Sequence, residues 1–411
     1  MVEMAEERKL VELRIGEQLW RVEIAAERCV PLRRAIPSPP AGSPAELIRA
    51  ALEQPRRFVP LRQAVTPGDR IAIVLDPDLP AIGELLEEVI RHLHSAGIAS
   101  EAITILTPPQ ASTHWQTDLP ECCRLVQREQ HDPGDRSRLA YLASTAGGRR
   151  LYLNRTLIDA DFVIVLSGRR YDPRTGYAGA ETAIFPDLAD AETRSAFAGR
   201  FRSSAPRPEA DALRTEAAEV VGLLGLPLFV QVIEGEGDQV QEVIAGLAES
   251  CQEGIARQDA RWRAAVAEEA DTVVATVTGS TGRLRFADLA LAAASAARVA
   301  RKGGRIAILT QAAPDLGAGA SLLRTLDDPQ QAPRQLERLR PDDWAACRLW
   351  AQAAFHCSLF LASQYPDAVV EELFATPLHS PVQLQRLLDA GGQVLFLPDA
   401  HKLMVTVSSQ T

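Results

Sequence analysis

The residues equipped for chemistry gather just after apolar runs. Asp76 and Asp78 follow RIAIVL (70–75). Two carboxylates at such a place suit a metal, or an acid and a base; a polar turn with aspartate capping a helix is the plainer alternative. A second stretch, SGRRYDPRTGYAGAETAIFPDLADAETRSAFA (167–198), follows the run DFVIVLS. Its glycines 168, 176 and 179 let backbone approach a ligand, and Arg169, Arg170 and Arg174 suit an anion. So long an irregular insertion is either functional or a structural loop. The third is Thr278-Gly279-Ser280-Thr281-Gly282-Arg283, between an apolar run and a helix. Amides, hydroxyls and a helix N-terminus converge there, which makes either a carboxylate or phosphate cradle or a tight turn without ligand. The spacing is neither a Walker loop nor a dinucleotide fingerprint.

Other chemistry is missing. No Ser/His/Asp, Cys/His or HExxH arrangement assembles from local motifs. The six cysteines (29, 122, 123, 251, 347, 357) have no CxxC spacing, so they read as reduced thiols rather than a disulfide frame or zinc site. Cys122-Cys123 reads as incidental, His131-Asp132 as a loop pair, and His356-Cys357 as core. Lysine occurs only at 9, 302 and 402, so nothing between residues 10 and 301 can form a lysine adduct.

The elements that must hold these loops follow from periodicity and punctuation. Residues 9–24 alternate apolar and polar across Gly16, which predicts a hairpin. Ser43-Pro44-Ala45-Glu46 is a capping box with proline at the first helical position. Strands are expected at 70–75 and 102–106 with an amphipathic helix between them, a βαβ unit that implies a parallel sheet. Further strands are expected at 138–143, 149–153 and 161–167, then a helix at 207–224 and a strand pair, LFVQVIEG with QVQEVIAG. A long polar helix at 246–267 leads to a second alternation: strand 271–277, helix 285–302, strand 304–309. A capping box at Ser380 and a closing strand at 392–397 complete it. The expectation is two α/β domains with mainly parallel sheets, 1–267 and 268–411, and an interdomain cleft as the default ligand site.

With 411 residues, 46% hydrophobic and 24% charged, the chain has the balance of a well-buried globular protein. A net charge of −10 argues against nucleic-acid partners and anionic membranes. The start lacks an apolar signal core and no apolar run reaches membrane-spanning length, so a cytoplasmic protein is expected.

Taken in order, the strand ending at Asp76 with Pro80 behind it, the strand and loop at 103–114, ADFVIVLS…GYAGAETAIFPDLADAET (160–193), VIEGEG and TGSTGR resemble the nickel-dependent lactate racemase family of 2-hydroxyacid racemases and epimerases. The best piece, 160–193, keeps Gly176, Gly179, Pro186, Glu192 and Thr193. The resemblance implies a nickel pincer nucleotide tethered to a lysine, a nickel-binding histidine and two acid/base histidines. Laid on this sequence, the tether falls at Thr182, after Glu181 where a basic residue is usual, and the nickel ligand falls at Ala198. The acid/base pair falls at Ser112 and Asp172, with His114 two residues beyond Ser112. The arginine of the first strand-end motif falls at Leu79, and the lysine of the second domain's loop at Gly282 beside Arg283. No cofactor and no metal are therefore expected. The reading is a degenerate member that binds a small carboxylate or hydroxyacid through Arg169, Arg170, Thr278, Gly279, Ser280 and Arg283. The alternative is an active racemase or epimerase with rewired acid/base groups, with Asp76, Asp172 or Glu181 as base.

Overall fold

Apolar runs bounded by turn residues become strands buried on both faces, as parallel sheets demand. The computed structural model describes residues 8–35, 38–117, 119–144, 148–198 and 212–408. It divides into two units, Ser38–Gln258 and a second made of Met1–Pro37 with Asp259–Thr411. The expected 1–267 domain thus differs at both ends. The Arg8–Ile15/Gln18–Ala25 hairpin turns at Gly16 (φ 57°) and lays Leu13, Trp20 and Val22 on Val274 and Leu309, far along the chain.

In Ser38–Gln258 the strands Ile71–Leu75, Ile103–Thr107, Gln127–Gln130, Phe162–Asp172 and Leu228–Glu234 run parallel, and Val240–Gly246 is added antiparallel at one edge. Alternation along each strand divides the core. Ile71, Ile73, Leu75, Ile164 and Leu166 pack on one face with Ile48, Leu52 and Leu85 of the helices Pro44–Glu53 and Ile82–Ser95. Ala72, Val74, Val163 and Val165 pack on the other with Ile184 and Ala217. Ser43 and Glu46 make both hydrogen bonds of the expected capping box. Of the helix expected at 207–224, Ala212–Gly222 is helical, and 207–211 lie outside the described residues. The strands Leu139–Ser144 and Arg150–Asn154 form a two-stranded sheet of their own, apart from the main sheet.

The largest departure is the Phe162–Asp172 strand, which runs five residues beyond the expected end at 167 and returns antiparallel as Gly176–Ala178. Arg169, Arg170 and Asp172 are therefore strand residues, not loop residues. The turn is set by Asp172, whose carboxylate accepts from the amides of Arg174 (2.7 Å) and Thr175 (2.8 Å) and from the Thr175 hydroxyl (3.1 Å). Such aspartate turns compete with continued extension.

In the other unit, five parallel strands stand in the order Ala375–Pro377, Ser358–Ala362, Ala300–Leu309, Ala270–Thr276, Val394–Leu397. The helix expected to reach 267 stops at Trp262. The next residues, Arg263–Val266, are a strand paired with Met404–Val407 and with Arg33–Arg34. No helix among the described residues is long and apolar enough to cross a membrane.

Candidate functional site

In Ser38–Gln258 the carboxyl ends of three parallel neighbours, Ile71–Leu75, Phe162–Asp172 and Leu228–Glu234, bring charged side chains together. Asp76 Oδ2 accepts from the Gly168 amide (3.1 Å) and from Arg170 Nη1 (2.6 Å), while its Oδ1 accepts from the Asp78 amide (3.0 Å). Arg170 also donates from Nε to Glu234 (2.8 Å) and from Nη2 to the Asp78 carbonyl (3.0 Å). Burial works against its charge, but Asp76, Glu234 and Asp78 outweigh burial and hold the guanidinium protonated well above the ordinary arginine range. About a quarter of the side chain, 27%, stays exposed.

Arg169 points to the opposite face and is fully buried. Its guanidinium donates to Gln231 (2.7 Å), Glu181 (3.0 Å) and the carbonyls of Gly179 (3.1 Å) and Cys251 (3.3 Å). A guanidinium so enclosed has no donor left to offer a carboxylate, which corrects its expected place in an anion site. Glu181, expected as an alternative base, is the buried partner of that ion pair. Gly179 (φ 81°) lies so close that an added Cβ would stand 2.2 Å from the Gly168 carbonyl oxygen. The adjacent Ala180 donates its amide to Ser167 Oγ (2.7 Å). Thr182, at the position the resemblance gives to the tether, is buried and donates its hydroxyl back to the Gly179 carbonyl (3.1 Å).

Asp172 and Asp76, the carboxylates singled out from sequence, are thus both occupied by protein donors. Asp172 also faces the Arg174 guanidinium at 3.4 Å. Ser112 is exposed and accepts from the His114 amide (3.1 Å), in a turn that leaves His114 exposed too. His131 and Asp132 lie in a loop as expected, but His131 is buried, with Nε2 donating to the Ala189 carbonyl (2.9 Å) and Nδ1 accepting from Asn154 (3.3 Å). Burial lowers its pKa, which favours the neutral ring.

Sequence reasoning passed over Asp187, although it stands inside the stretch 160–193. Burial, the largest influence, raises its carboxyl above the ordinary aspartate range; Asp172 and Asp76 push the same way, against Arg174 and Arg194. Its side chain is 29% exposed, and its one charged neighbour in contact range is Arg194 at 4.0 Å. The signal available was a carboxylate directly after Pro186, amid three arginines.

In the other unit, the loop after Ala270–Thr276 is anchored at its first residue. Thr278 donates its amide (3.2 Å) and its hydroxyl to the buried Asp399, which donates its own amide to Thr276 Oγ1 (3.1 Å). The Arg283 amide turns back to the Ser280 carbonyl (3.0 Å). Gly279 takes φ 135°, and Ser280, Thr281 and Gly282 are exposed. The Thr278 and Arg283 amides are therefore consumed, while the 279–282 segment faces solvent. Among the described residues no group of three or more His, Cys, Asp or Glu is arranged to hold a metal ion.

Parallel strands ending in a polar cluster define an α/β protein of the kind that works at its strand ends. Residues 15–204, a little under half of the chain, match the sequence model described as the lactate racemase N-terminal domain. The fold agrees. The structure of the lactate racemase apoprotein from Thermoanaerobacterium thermosaccharolyticum superposes with a TM-score of 0.79 at 16% identity, covering 97% of this chain and all of that one. A Thermotoga maritima protein solved by a structural genomics consortium gives 0.66 at 11% identity, covering 91% of this chain and all of that one. A comparison with curated protein sequences gives no significant match.

Proposed function

We propose that this lactate-racemase-like chain binds a small carboxylate or hydroxyacid without carrying the nickel pincer nucleotide, as a cytoplasmic binding protein rather than a racemase. The observation that carries the reading is at the tether. A thioamide tether needs a primary amine, but Thr182 presents a hydroxyl already committed to the Gly179 carbonyl. The whole unit Ser38–Gln258 contains no lysine that could serve instead. Ala198 and Asp172 stand where the resemblance places the nickel ligand and an acid/base histidine, and neither is an imidazole. The residues present do not fit the group.

With Arg169 withdrawn into the core, the guanidiniums proposed for a carboxylate in this unit are Arg170, Arg174 and Arg194. In the other unit Gly279, Ser280 and the Arg283 side chain are the proposed contacts, with Thr278 as their anchor. Against a racemase with relocated acid/base groups stand the partners of Asp76, Asp172 and Glu181, each of which already accepts from protein donors.

The test is intact-mass spectrometry and nickel analysis of the protein made together with the enzymes that build the cofactor. The expected result is the bare chain mass and no stoichiometric nickel. Thr182→Lys alone is expected to give no lactate racemisation. A covalent nucleotide adduct on the unaltered chain would overturn the reading.

A further inference from the structure

We infer that two copies of this chain pair antiparallel along the free edge of the strand Arg8–Ile15, with Leu10 of one copy opposite Leu10 of the other. The two hairpins then form one continuous sheet about a two-fold axis.

The edge is the first observation. Arg8–Ile15 pairs along its whole length with Gln18–Ala25 and with no other strand among the described residues. The turn between them is Gly16-Glu17, so Ile15 and Gln18 close it as a hydrogen-bonded pair. Hydrogen-bonded and non-hydrogen-bonded pairs alternate from there. Lys9, Val11, Leu13 and Ile15 therefore direct their amides and carbonyls into the hairpin, while those of Arg8, Leu10, Glu12 and Arg14 point away from it. None of these outward groups makes a backbone bond to another part of the chain among the described residues. An open ladder of this length is a template for a further strand. Leu13, Ile15, Trp20 and Val22 already anchor the hairpin on the buried sheet, so a strand added at the edge extends a fixed surface.

Which strand fits follows from the side chains. Arg8, Leu10, Glu12 and Arg14 all lie exposed on the face away from the core, Leu10 with 56% of its surface in water. Centred on Leu10, the pairing buries the two leucines against each other and sets Arg8 of each copy opposite Glu12 of the other. Glu12 already accepts from Arg21 Nε at 2.9 Å, and Arg8 faces Glu23 at 3.5 Å. Each Glu12 then stands between two guanidiniums and each Arg8 between two carboxylates. On the inner side Lys9 meets Val11, where its stem can lie on the valine while the ammonium reaches water.

The neighbouring registers are worse. Centring on Lys9 sets two lysines face to face, and centring on Glu12 does the same to two glutamates. Centring on Val11 puts Arg8 against Arg14 and Leu10 against Glu12. Like charges directly opposite destabilise a sheet, whereas opposite charges and apolar pairs support it. Charge and shape thus select one register. An edge that complements itself when reversed is what a two-fold dimer requires.

Sedimentation of the full chain over a wide concentration range tests this. The unaltered chain is expected at twice the chain mass, dissociating on dilution and as salt rises, because its charge pairs are exposed. Arg8→Glu and Glu12→Arg each place like charges opposite and should give monomers. Mixed in equal amounts, the two variants should form a dimer again, since the carboxylates of one copy then meet the guanidiniums of the other. Chains that had merely lost the hairpin would not be rescued by mixing. Leu10→Pro removes an amide that points to the edge rather than to Gln18–Ala25, so it should be monomeric yet melt close to the unaltered chain. An unaltered chain that stays monomeric overturns the inference and leaves the edge to an extended segment of another protein. A dimer that survives Leu10→Pro overturns it too, as do single variants that stay monomeric when mixed.

Discussion

The strand ends of Ser38–Gln258 and the loop after Ala270–Thr276 are built on the same α/β plan, yet they treat polar groups in opposite ways. In the first, guanidiniums are consumed: Arg169 by Glu181, Gln231 and two carbonyls, Arg170 by Asp76 and Glu234. In the second, one buried carboxylate, Asp399, holds the first loop residue and the next four reach solvent or its edge. The difference teaches that an arginine at a strand end is a ligand contact only when nearby carboxylates leave it a donor. Counting arginines in a sequence cannot show that.

The contrast is most easily broken through Arg169. Arg169→Met leaves Glu181 buried without its partner and should cost about 3–5 kcal/mol. Thr281→Ala, on the exposed loop, should stay within about 0.5 kcal/mol. Urea denaturation reads both. Equal costs would mean that the buried network is no more structural than the loop, and adding Glu181→Leu to Arg169→Met should recover much of the loss.

A smaller effect is expected at Thr278. Thr278→Val removes one of the donors to buried Asp399 and should cost about 1–3 kcal/mol by chemical denaturation. A neutral result would show that the anchor resides in the amide alone.

The smallest effects are pH-dependent and opposite in sign. The hydrogen bond from Arg49 is the main cause that holds Glu88 below the ordinary glutamate range. Its stabilisation is therefore present above the unfolded pKa and is lost as pH falls through the folded one. Asp187 is raised, so its ionised form costs stability above the unfolded aspartate range, and that cost disappears in acid. Glu88→Gln should lower the melting temperature at neutral pH and Asp187→Asn should raise it, with both differences shrinking as the pH is lowered. Melting curves at several pH values suffice, and shifts of the same sign would undo the assignment.

Much of the frame was legible in the sequence because its signals are local. Gly16 between two alternating runs, Ser43 with Glu46, and the βαβ pattern from 70 to 106 each act over a few residues, and each appears as read. The association of residues 8–35 with the C-terminal part was not legible, because the hairpin's apolar face carries no mark of which sheet it will cover. The end of the 162–172 strand was misplaced for a related reason. Glycine and two arginines look like a loop, and only backbone pairing with Gln231–Ile233 of the neighbouring strand and with the returning Gly176–Ala178 makes them strand residues. At the site, residue types were legible and availability was not. Asp76, Asp172 and Arg169 were singled out by residue type, but Asp76 finds Arg170 94 positions away and Arg169 finds the Cys251 carbonyl 82 away, pairings that no local signal marks; Asp187 drew no notice because no spacing singled it out.

The extension of Phe162–Asp172 past its neighbours also constrains how this chain can change length. Arg169 and Arg170 face opposite sides of the sheet, one toward Glu181 and one toward Asp76. Inserting or deleting a single residue upstream in the strand would exchange the two faces. An insertion would put Gly168 in the place of Arg169, and a deletion would put Tyr171 in the place of Arg170, so in either case one carboxylate loses its guanidinium. A change of two residues keeps the parity but carries both arginines off their carboxylates. Length change upstream in this strand should therefore be tolerated only where a bulge absorbs it before Arg169.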